Sequence, residues 1–456
     1  MNIKSKLEEY IILKKDKVKI SSKEIKKNDI FLALNGKNYH GNKFINSSIK
    51  NGAKFCITDN KNYTQNEKVI FVKNIYDYLI GLAKIKRDLF KGKIIGITGS
   101  AGKTTLKETL AFFLKKDHKI SFSKKSYNNK LGVLVSLLNL DLNSSFAIFE
   151  IGTNNFGEIK YLTKIVKPTE VFITNIQSTH LENFQTKNNI AREKSNIFIL
   201  KNNNRRKKIY LNINNKSENI ILNRAKKEKN LKIININKPS SKYFIKKILP
   251  KKNAYKVYFS INKKIIIFNT NSLIMFRLMN LLFCYAFFSE NSLKINSIKE
   301  RQKYLKPVDG RGLTHNIVIN KNKIKVIDES YNANPDTMFQ SIEYFVNLKK
   351  INSKKILILG NMNELGISSY RMHINLLYYL DNFIFKFVIL CGEFFQRSIK
   401  KINNPQNEFI YLKDKNKIMK FLNKNIHNDD IILIKCSNST EINKLAKDLL
   451  KKGNLN

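Results

Sequence analysis

Short apolar runs alternate with helical patterns of apolar residues over most of the chain. Between residues 91 and 305, the runs 146–149 and 171–174 are each followed by segments in which apolar residues recur at helical spacing. Repeats of strand then helix predict a parallel sheet. Beyond Pro307 a second, Rossmann-like sheet is predicted by further runs of the same kind. These runs are 325–328, 355–359, 387–390, 409–412 and 431–434.

Two other regions have a different pattern. Residues 1–90 contain short strand-like runs separated by glycines, and the clearest are 30–34, 55–58 and 69–72. A polar, basic segment precedes residues 209–270, in which the alternation is β-like and Asn and Lys are frequent. We therefore predict a small N-terminal α/β unit and, for 209–270, a peripheral insertion with little chemistry.

The glycine-rich stretch GITGSAGKTT lies between a strand pattern and a helix pattern. Gly99 and Gly102 allow backbone N–H groups to approach phosphate oxygens, and the helix N-terminus adds partial positive charge. Lys103 can then reach the outer phosphates of a nucleotide, while the Thr104 hydroxyl can ligate Mg²⁺. The spacing departs from the generic P-loop, because Ile97 stands where that loop has its first glycine. A glycine-rich turn without function is the alternative.

The net charge of +49 at pH 7 could indicate a nucleic-acid-binding protein, but its distribution argues against this class. Arg supplies only 10 of the 84 basic residues, and the lysines are spread along the whole chain. Attraction of small anionic substrates such as nucleotides fits this distribution better. The four cysteines are scattered without a CxxC, which predicts neither a disulfide framework nor a zinc site. We expect a reduced, cytoplasmic protein without membrane insertion.

Polar residues follow two of the predicted central strands. Glu150 ends the run 146–149, and His180 lies shortly after the run 171–174. Because ligands bind at the carboxyl ends of strands in an open α/β sheet, we expect both side chains to face the crevice of the glycine-rich loop. A carboxylate and an imidazole beside a triphosphate indicate divalent metal binding. A strand-end surface charge and a loop histidine are the alternatives.

These patterns together predict an α/β protein of three domains. A small N-terminal α/β domain covers residues 1–90, a central P-loop parallel-sheet ATPase domain covers 91–305, and a C-terminal Rossmann-like domain covers 306–456.

The motifs as a set resemble those of the Mur ligase family, over essentially the full length of the chain. GITGSAGKTT resembles the GxxGxxGKTT loop of that family, which accounts for the glycine spacing. The loop YNANPDTM, the segment GNMNELG and His373 resemble the branch that adds a dipeptide. The resemblance implies an ATP-dependent amide ligase of peptidoglycan precursor synthesis. It implies that UDP-N-acetylmuramoyl-tripeptide and D-alanyl-D-alanine are joined through an acyl phosphate, and it leaves the third tripeptide residue, lysine or diaminopimelate, open.

The resemblance also implies roles in ATP and Mg²⁺ binding. Lys194 falls where the family has a lysine that CO₂ carbamylates into a metal-bridging carboxylate, and Asn196 replaces the usual glutamate two positions later. Asn280 is assigned to adenine, Arg311 to the phosphates and Asp328 to the ribose. The implied catalytic residues are Lys103, Lys194 and His180. The implied metal ligands are Thr104, Glu150, His180 and Lys194. The implied ATP-binding residues are Gly99, Ser100, Ala101, Gly102, Lys103, Thr104, Thr105, Asn280, Arg311, Asp328 and Asn332.

Substrate contacts are implied at three further motifs, namely SYNNKLGV, FLALNGKNYHGNKF and the Lys-Cys-Ser that stands for the family's Lys-Gly-Ser. In the N-terminal domain, Ser21-Ser22-Lys23 stands for the family's Asp-Ser-Arg. The implied substrate-binding residues are Ser22, Asn38, His40, Gly41, Asn128, Asn129 and Lys435.

Three alternatives to this function stay open. One is another Mur or folylpolyglutamate-type ligase, against which YNANP argues. A second is a basic P-loop ATPase that binds nucleic acid, and a third is a degenerate ligase kept for binding. We expect a monomer with no nucleic-acid partner, whose third domain closes onto the second. No side chain stands out in the sequence as the base that deprotonates the amine.

Overall fold

The computed structural model describes residues 2–36, 39–124, 126–199, 207–212, 216–251, 254–270, 275–348 and 354–453. Within these ranges the chain forms three separate β-sheets of four, nine and six strands, in sequence order. The predicted α/β class with three sheet domains is confirmed. The boundaries at 90 and 305 stay predictions, and each lies between the last strand of one sheet and the first strand of the next.

The N-terminal sheet is parallel throughout, with strands in the order β1-β2-β3-β4. Its core strands are fully buried apolar runs, which suits a parallel sheet that is covered on both faces. Its elements are α1 (Ile3–Leu13), β1 (Val18–Lys19), β2 (Ile30–Leu32), α2 (Ile45–Lys50), β3 (Phe55–Thr58), β4 (Val69–Phe71) and α3 (Ile75–Leu89).

The central sheet has the order β13-β12-β11-β10-β9-β8-β5-β7-β6. The pairs β11–β12 and β12–β13 are antiparallel, and the other neighbouring strands are parallel. The first part comprises β5 (Lys93–Thr98), α4 (Lys103–Leu114), β6 (Ile120–Phe122), α5 (Lys130–Leu138), β7 (Phe146–Glu150), α6 (Glu158–Val166), β8 (Glu170–Ile173), α7 (Leu181–Phe184) and α8 (Lys187–Ser195). The second part comprises β9 (Lys207–Asn212), α9 (Lys216–Lys226), β10 (Leu231–Ile236), β11 (Tyr243–Pro250), β12 (Tyr255–Ile261), β13 (Lys264–Thr270), α10 (Met275–Glu290) and α11 (Ile295–Arg301).

The predicted peripheral insertion at 209–270 is wrong, because β9 to β13 continue the central sheet without a break. The strands β11 to β13 are antiparallel and half solvated, and β13 alternates between exposed and part-buried residues. This alternation differs from the uniformly apolar runs of the parallel strands, which is why the segment resembled a separate module.

The C-terminal sheet has the order β14-β15-β19-β16-β17-β18, and only the edge strand β14 is antiparallel. All five predicted strands of this region are present, and β14 was not predicted. Its elements are β14 (Leu313–Ile319), β15 (Asn322–Glu329), α12 (Pro335–Val346), β16 (Lys355–Gly360), α13 (Ser369–Leu380), β17 (Phe387–Cys391), α14 (Glu393–Ile399), β18 (Phe409–Tyr411), α15 (Lys415–Asn425), β19 (Ile431–Lys435) and α16 (Glu441–Gly453).

One hydrophobic core joins the N-terminal sheet to one face of the central sheet. It includes Leu7 and Ile30 from the first unit, Leu79 from α3, and Val133 and Ile173 from the second. The other face of the central sheet packs on α4 and α10, and the C-terminal sheet has its own cores. All four cysteines are buried and free. None of the described helices is both long enough and apolar enough to cross a membrane.

Lys86, in α3, is a fully buried lysine that links the first two units. Its Nζ donates to the carbonyls of Ile11 at 2.8 Å, Lys14 at 2.7 Å and Leu138 at 2.7 Å. The first two carbonyls lie at the end of α1 and the third at the end of α5. A cation therefore satisfies carbonyls at the negative ends of two helices. Burial lowers the pKa of Lys86 to about 8.

Replacing Lys86 with Met is expected to lower the free energy of unfolding by about 3 kcal/mol, because three buried carbonyls lose their donor. Urea unfolding monitored by circular dichroism measures this loss. Lys84→Met, at an exposed position of the same helix, is the control and is expected to change little. Equal unfolding midpoints for the two variants would show that the carbonyls do not depend on Lys86.

Candidate active site

The glycine-rich loop joins β5 to α4, as the sequence predicted. Gly99 has φ +141° and Gly102 has φ +81°, both in the left-handed region that favours glycine. A Cβ at Gly99 would lie 1.9 Å from the Thr174 hydroxyl oxygen, so no other residue fits there. The loop therefore places its backbone close to β8 and directs the N-terminus of α4 into the crevice at the strand ends.

Two lysines converge on one carbonyl of this loop. The Lys103 Nζ donates to the Gly99 carbonyl at 2.7 Å and to the Ser100 carbonyl at 3.2 Å, and the Lys194 Nζ donates to the Gly99 carbonyl at 3.0 Å. Burial lowers the pKa of Lys103 and holds the pKa of Lys194 well below its ordinary value, and the nearby Lys103 lowers the latter further. The Lys103 side chain and the positive end of α4 favour an anion on the open side of this loop.

Glu150 lies beside this loop at the end of β7. Its two carboxylate oxygens accept hydrogen bonds from the Thr104 hydroxyl at 2.7 Å and from the Asn128 amide at 2.8 Å. A hydroxyl and a carboxylate in contact beside a phosphate-binding loop are the oxygen donors that Mg²⁺ prefers. No group of three or more His, Cys, Asp or Glu with metal-binding geometry occurs among the described residues. A Mg²⁺ ion held by this pair would therefore depend on nucleotide phosphates and waters for its other ligands.

His180 faces the same crevice and is paired with a residue of the C-terminal sheet domain. The imidazole Nδ1 lies 2.6 Å from the Glu364 carboxylate, and the Glu182 backbone N–H donates to the Glu364 carbonyl at 3.2 Å. The hydrogen bond from His180 holds the pKa of Glu364 below its ordinary value. The backbone of His180 has φ +52°, so this side chain is fixed by an uncommon conformation as well as by its partner.

Arg311 extends from the C-terminal domain to the phosphate loop. Its guanidinium donates to the Thr104 hydroxyl at 3.0 Å and stacks on the Tyr331 ring, 4.3 Å from the centroid. The chain around it is held by Arg277 of α10, whose Nη2 donates to the carbonyls of Arg311 at 3.1 Å and Gly312 at 2.7 Å. The central domain thus fixes the segment that delivers Arg311 to the loop.

A second interdomain contact involves the start of α12. The Asp336 carboxylate accepts the Ser178 backbone N–H at 2.9 Å and pairs with Lys187 at 3.0 Å. The Asn334 amide donates to the Gln177 side-chain oxygen at 3.3 Å. Contacts from the C-terminal domain therefore hold the loop that carries His180, and the two domains lie against each other.

A buried ion pair lies behind these contacts, at matched positions of β15 and β19. The Lys435 Nζ is 3.0 Å from the Glu329 carboxylate and donates to the Asn332 carbonyl at 3.2 Å, and the Ser341 hydroxyl donates to Glu329. Burial alone raises the pKa of Glu329, but Lys435, Ser341 and Arg277 together hold it below its ordinary value. Lys435 was expected to bind substrate, and here its ammonium neutralises Glu329.

Several cavities adjoin the glycine-rich loop, and two of them differ in size and polarity. A polar crevice of about 250 Å³ is lined by Ser100, Ala101, Gly102, Lys103, Thr104, Ser126, Asn128, Glu150, Gly152, Thr153, Asn154, Thr179, His180, Arg311, Tyr331, Asn332, Ala333, Asn334, Asn363 and Glu364. A larger cavity of about 550 Å³ includes Thr105, Arg277, Asn280 and the segment 304–309. Its size suits a drug-sized ligand such as a nucleoside. The Asn280 amide lies 3.4 Å from the Gly102 carbonyl, so the larger cavity begins next to the loop.

Several expected site residues lie elsewhere or are already engaged. The Asn129 side chain caps α5 through the Gly132 N–H at 2.9 Å, and it is not among the residues that line the crevice. Asp328 is buried and accepts the Ser330 N–H at 3.0 Å. The N-terminal candidates do not line the crevice either, and Asn38 lies outside the described residues. These N-terminal candidates are Ser22, His40 and Gly41.

Sequence reasoning missed Glu329, Glu364, Arg277 and Asp336. Glu329 gave a local signal, because it ends one buried strand with a charge opposite to that of Lys435 at the end of another. Glu364 and Asp336 lie inside the quoted segments GNMNELG and YNANPDTM, but their partners are in another domain. Nothing in the sequence alone identifies those partners.

His373 supports the segment that carries Glu364. Its Nε2 accepts the Met362 N–H at 3.1 Å, and its Nδ1 lies 2.6 Å from the Ser369 carbonyl, which fixes the neutral tautomer with the proton on Nδ1. Burial lowers its pKa to about 4 from an ordinary 6.5. His373 is thus a neutral, buried support for the loop.

This depressed pKa predicts a loss of stability in acid. Between pH 6.5 and 4 the unfolded chain binds a proton at His373 that the folded chain does not, so the free energy of unfolding falls as pH falls, by at most about 3 kcal/mol from this group. Urea unfolding across this range, compared with His373→Asn, measures the contribution. A variant whose pH dependence matches that of the parent would contradict the prediction.

Three family models match the chain in consecutive segments. The Mur ligase family catalytic domain matches residues 16–88, the Mur ligase middle domain matches 97–288, and the glutamate ligase domain of the Mur ligases matches 316–438.

Curated relatives and solved structures agree with these matches. The UDP-N-acetylmuramoyl-tripeptide–D-alanyl-D-alanine ligase of Rickettsia prowazekii is 32% identical over 94% of each chain, and that of Buchnera aphidicola from Acyrthosiphon pisum is 28% identical over 96% of this chain and 93% of its own. The MurF ligase of Thermotoga maritima in complex with ADP shares the fold with a TM-score of 0.78, at 23% identity over 97% of this chain and 98% of its own. With three family models matched in order and a relative that is 32% identical over 94% of the chain, the chain belongs to the Mur ligase family, whose members are ATP-dependent amide ligases.

Proposed function

We propose that this chain joins D-alanyl-D-alanine to UDP-N-acetylmuramoyl-tripeptide at the expense of ATP. The observation that carries the proposal is the crevice itself, where Lys103, Thr104, Glu150 and Arg311 meet beside a phosphate-binding loop. The full-length similarity to ligases named for this reaction supports the choice of substrates.

The phosphates of ATP bind along the loop, with Lys103 and Arg311 offsetting their negative charge. The larger cavity receives the adenosine end, because Asn280 in its wall donates to the Gly102 carbonyl of the loop. Thr104 and Glu150 are the residues that would hold Mg²⁺, whose chemistry here is to neutralise phosphate charge. His180 borders the same crevice, and its imidazole would supply a nitrogen ligand to a second ion.

Lys194 lies behind the loop, where its Nζ donates to the Gly99 carbonyl, and as an ammonium it cannot ligate a cation. Burial lowers its pKa, which favours the neutral amine that reacts with CO₂. We propose that this amine adds CO₂ and loses a proton, and that the resulting carbamate would offer a carboxylate ligand to the metal site. A mass increase of one CO₂ at this residue is the expected result.

In the reaction, a terminal carboxylate oxygen of the tripeptide attacks the γ-phosphorus of ATP, and ADP leaves. The dipeptide ammonium loses a proton to solvent, and its amine nitrogen then attacks the acyl carbon. The carbon–oxygen bond breaks, phosphate leaves with that oxygen, and a second proton leaves the nitrogen as the amide forms. The chain's own residues align the reactants and stabilise negative charge on the phosphoryl group. We propose that the chain acts as a monomer.

Phosphate release from ATP tests the proposal. Purified protein is mixed with ATP, Mg²⁺ and UDP-N-acetylmuramoyl-tripeptide, with and without D-alanyl-D-alanine, and the product is identified by its mass. Release that requires both substrates, with formation of the pentapeptide, is the expected result. Release that ignores both substrates but rises with added nucleic acid would replace this proposal with a nucleic-acid-dependent ATPase.

A further inference from the structure

Only two acidic side chains line the crevice among the described residues, Glu150 and Glu364. Glu150 is buried, accepts hydrogen bonds from Thr104 and Asn128, and is the carboxylate already assigned to Mg²⁺. Glu364 differs, because its side chain is 54% exposed and one oxygen pairs with His180. Its other oxygen has no hydrogen bond within the described part of the chain. One carboxylate of the crevice is therefore open to a cationic ligand.

The backbone holds Glu364 in a fixed position. The preceding residue, Asn363, makes two hydrogen bonds to a neighbouring loop. Its backbone N–H donates to the Ser437 hydroxyl at 3.1 Å, and its side-chain amide donates to the Ser439 hydroxyl at 2.8 Å. Glu364 itself has φ +65°, an uncommon conformation for a residue with a side chain. A side chain fixed in this way loses little further freedom when a ligand binds.

The charged groups of the crevice come from both domains. Lys103 and Arg311 lie at the glycine-rich loop and suit the anionic groups of the nucleotide and of the activated carboxylate. Glu364 comes from the facing domain and lies next to His180, and Lys103 is close enough to help lower the pKa of this carboxyl. The Glu364 carboxylate therefore borders the space in which the activated carboxylate would lie.

We infer that Glu364 binds the α-ammonium group of the amine substrate and thereby positions its nitrogen beside the acyl phosphate. The inference rests on the proposed function, because it assumes that the substrate is an amine that adds to an acyl phosphate. An α-amino group is mostly an ammonium at neutral pH, so a carboxylate can capture it in that form. The captured ammonium gives up one proton to solvent before its nitrogen attacks the acyl carbon. Glu364 is in this sense a specificity residue for the acceptor.

Glu364→Gln tests the inference together with a change in the ligand. D-alanyl-D-alanine is compared with propanoyl-D-alanine, in which hydrogen replaces the ammonium, through the KM of the first and the inhibition constant of the second. The parent protein is expected to favour the ammonium ligand, and the variant to lose about 10- to 100-fold of that preference, because a charged hydrogen bond is removed. A role in domain contact alone would weaken both ligands equally.

Glu182→Gln is the matched control, because Glu182 is exposed and lies in the same interdomain contact but does not line the crevice. It is expected to keep the parent's preference. If the parent turns over and Glu364→Gln keeps the full preference for the ammonium ligand, the inference is wrong and the proposed function stands. If the parent forms no product with both substrates, the proposed function fails and the inference fails with it.

Discussion

Replacing Lys103 with alanine is expected to lower kcat/KM for ATP by about 1,000-fold, because the phosphates lose a charge placed for the transition state. The Lys103 ammonium is held by the carbonyls of Gly99 and Ser100, so its position is fixed before the nucleotide binds. Lys194 also donates to the Gly99 carbonyl, so in the variant this carbonyl keeps one of its two lysine donors. The loss is expected in turnover more than in folding.

Initial rates of phosphate release, with circular dichroism to verify the fold, measure the effect. Lys116→Ala is the matched control, because Lys116 pairs with Glu300 at the surface, away from the loop, and exposed pairs contribute little. We expect its rates to equal those of the parent. Full activity in Lys103→Ala would remove the assignment of the glycine-rich loop as the phosphate site.

Replacing Lys435 with methionine is expected to reduce the free energy of unfolding by about 3–5 kcal/mol, because it leaves the buried Glu329 carboxylate without its main partner. Ser341 and Arg277 remain near Glu329 but do not neutralise it alone. The variant raises the folded-state pKa of Glu329 above its unfolded value. The variant therefore keeps its stability at pH values below the pKa of Glu329 in the unfolded chain. It loses stability as the pH rises through the raised pKa of Glu329 in the folded chain.

A double variant separates this charge effect from packing. Lys435→Met with Glu329→Gln removes both charges, and we expect it to recover part of the loss, because an amide costs less to bury than an unpaired carboxylate. Urea unfolding at pH 5 and pH 8 for the parent, the single variants and the double variant measures the coupling between the two residues. Equal losses in the single and double variants would assign the effect to packing alone.

Local patterns predicted the phosphate loop and the elements around it. The strand, the two glycines and the Lys-Thr-Thr that follow depend on residues within a few positions of one another, and the left-handed φ angles at Gly99 and Gly102 bear out the role of these glycines in the turn. The rule for strand ends brought Glu150 and His180 to the same crevice across two separate strands.

Contacts between domains could not be predicted in the same way. Arg277 reaches the carbonyl of Gly312, and His180 reaches Glu364, only because two separately folded sheets meet at this crevice. Asn129 differs, because the sequence suggested a substrate contact while its side chain caps a helix locally, a role that asparagine often performs. The sequence therefore predicted the backbone turn at Gly99 and Gly102, and it missed the side-chain contacts that need a partner in another domain.

The most direct test of the account follows one oxygen atom. The terminal carboxylate of UDP-N-acetylmuramoyl-tripeptide is labelled with ¹⁸O, and the phosphate released during ligation to D-alanyl-D-alanine is analysed by mass spectrometry. The account predicts one ¹⁸O in each phosphate, because the carboxylate oxygen attacks the γ-phosphorus and leaves with it. Unlabelled phosphate, formed while the peptide bond is made, would contradict the acyl-phosphate mechanism at this crevice.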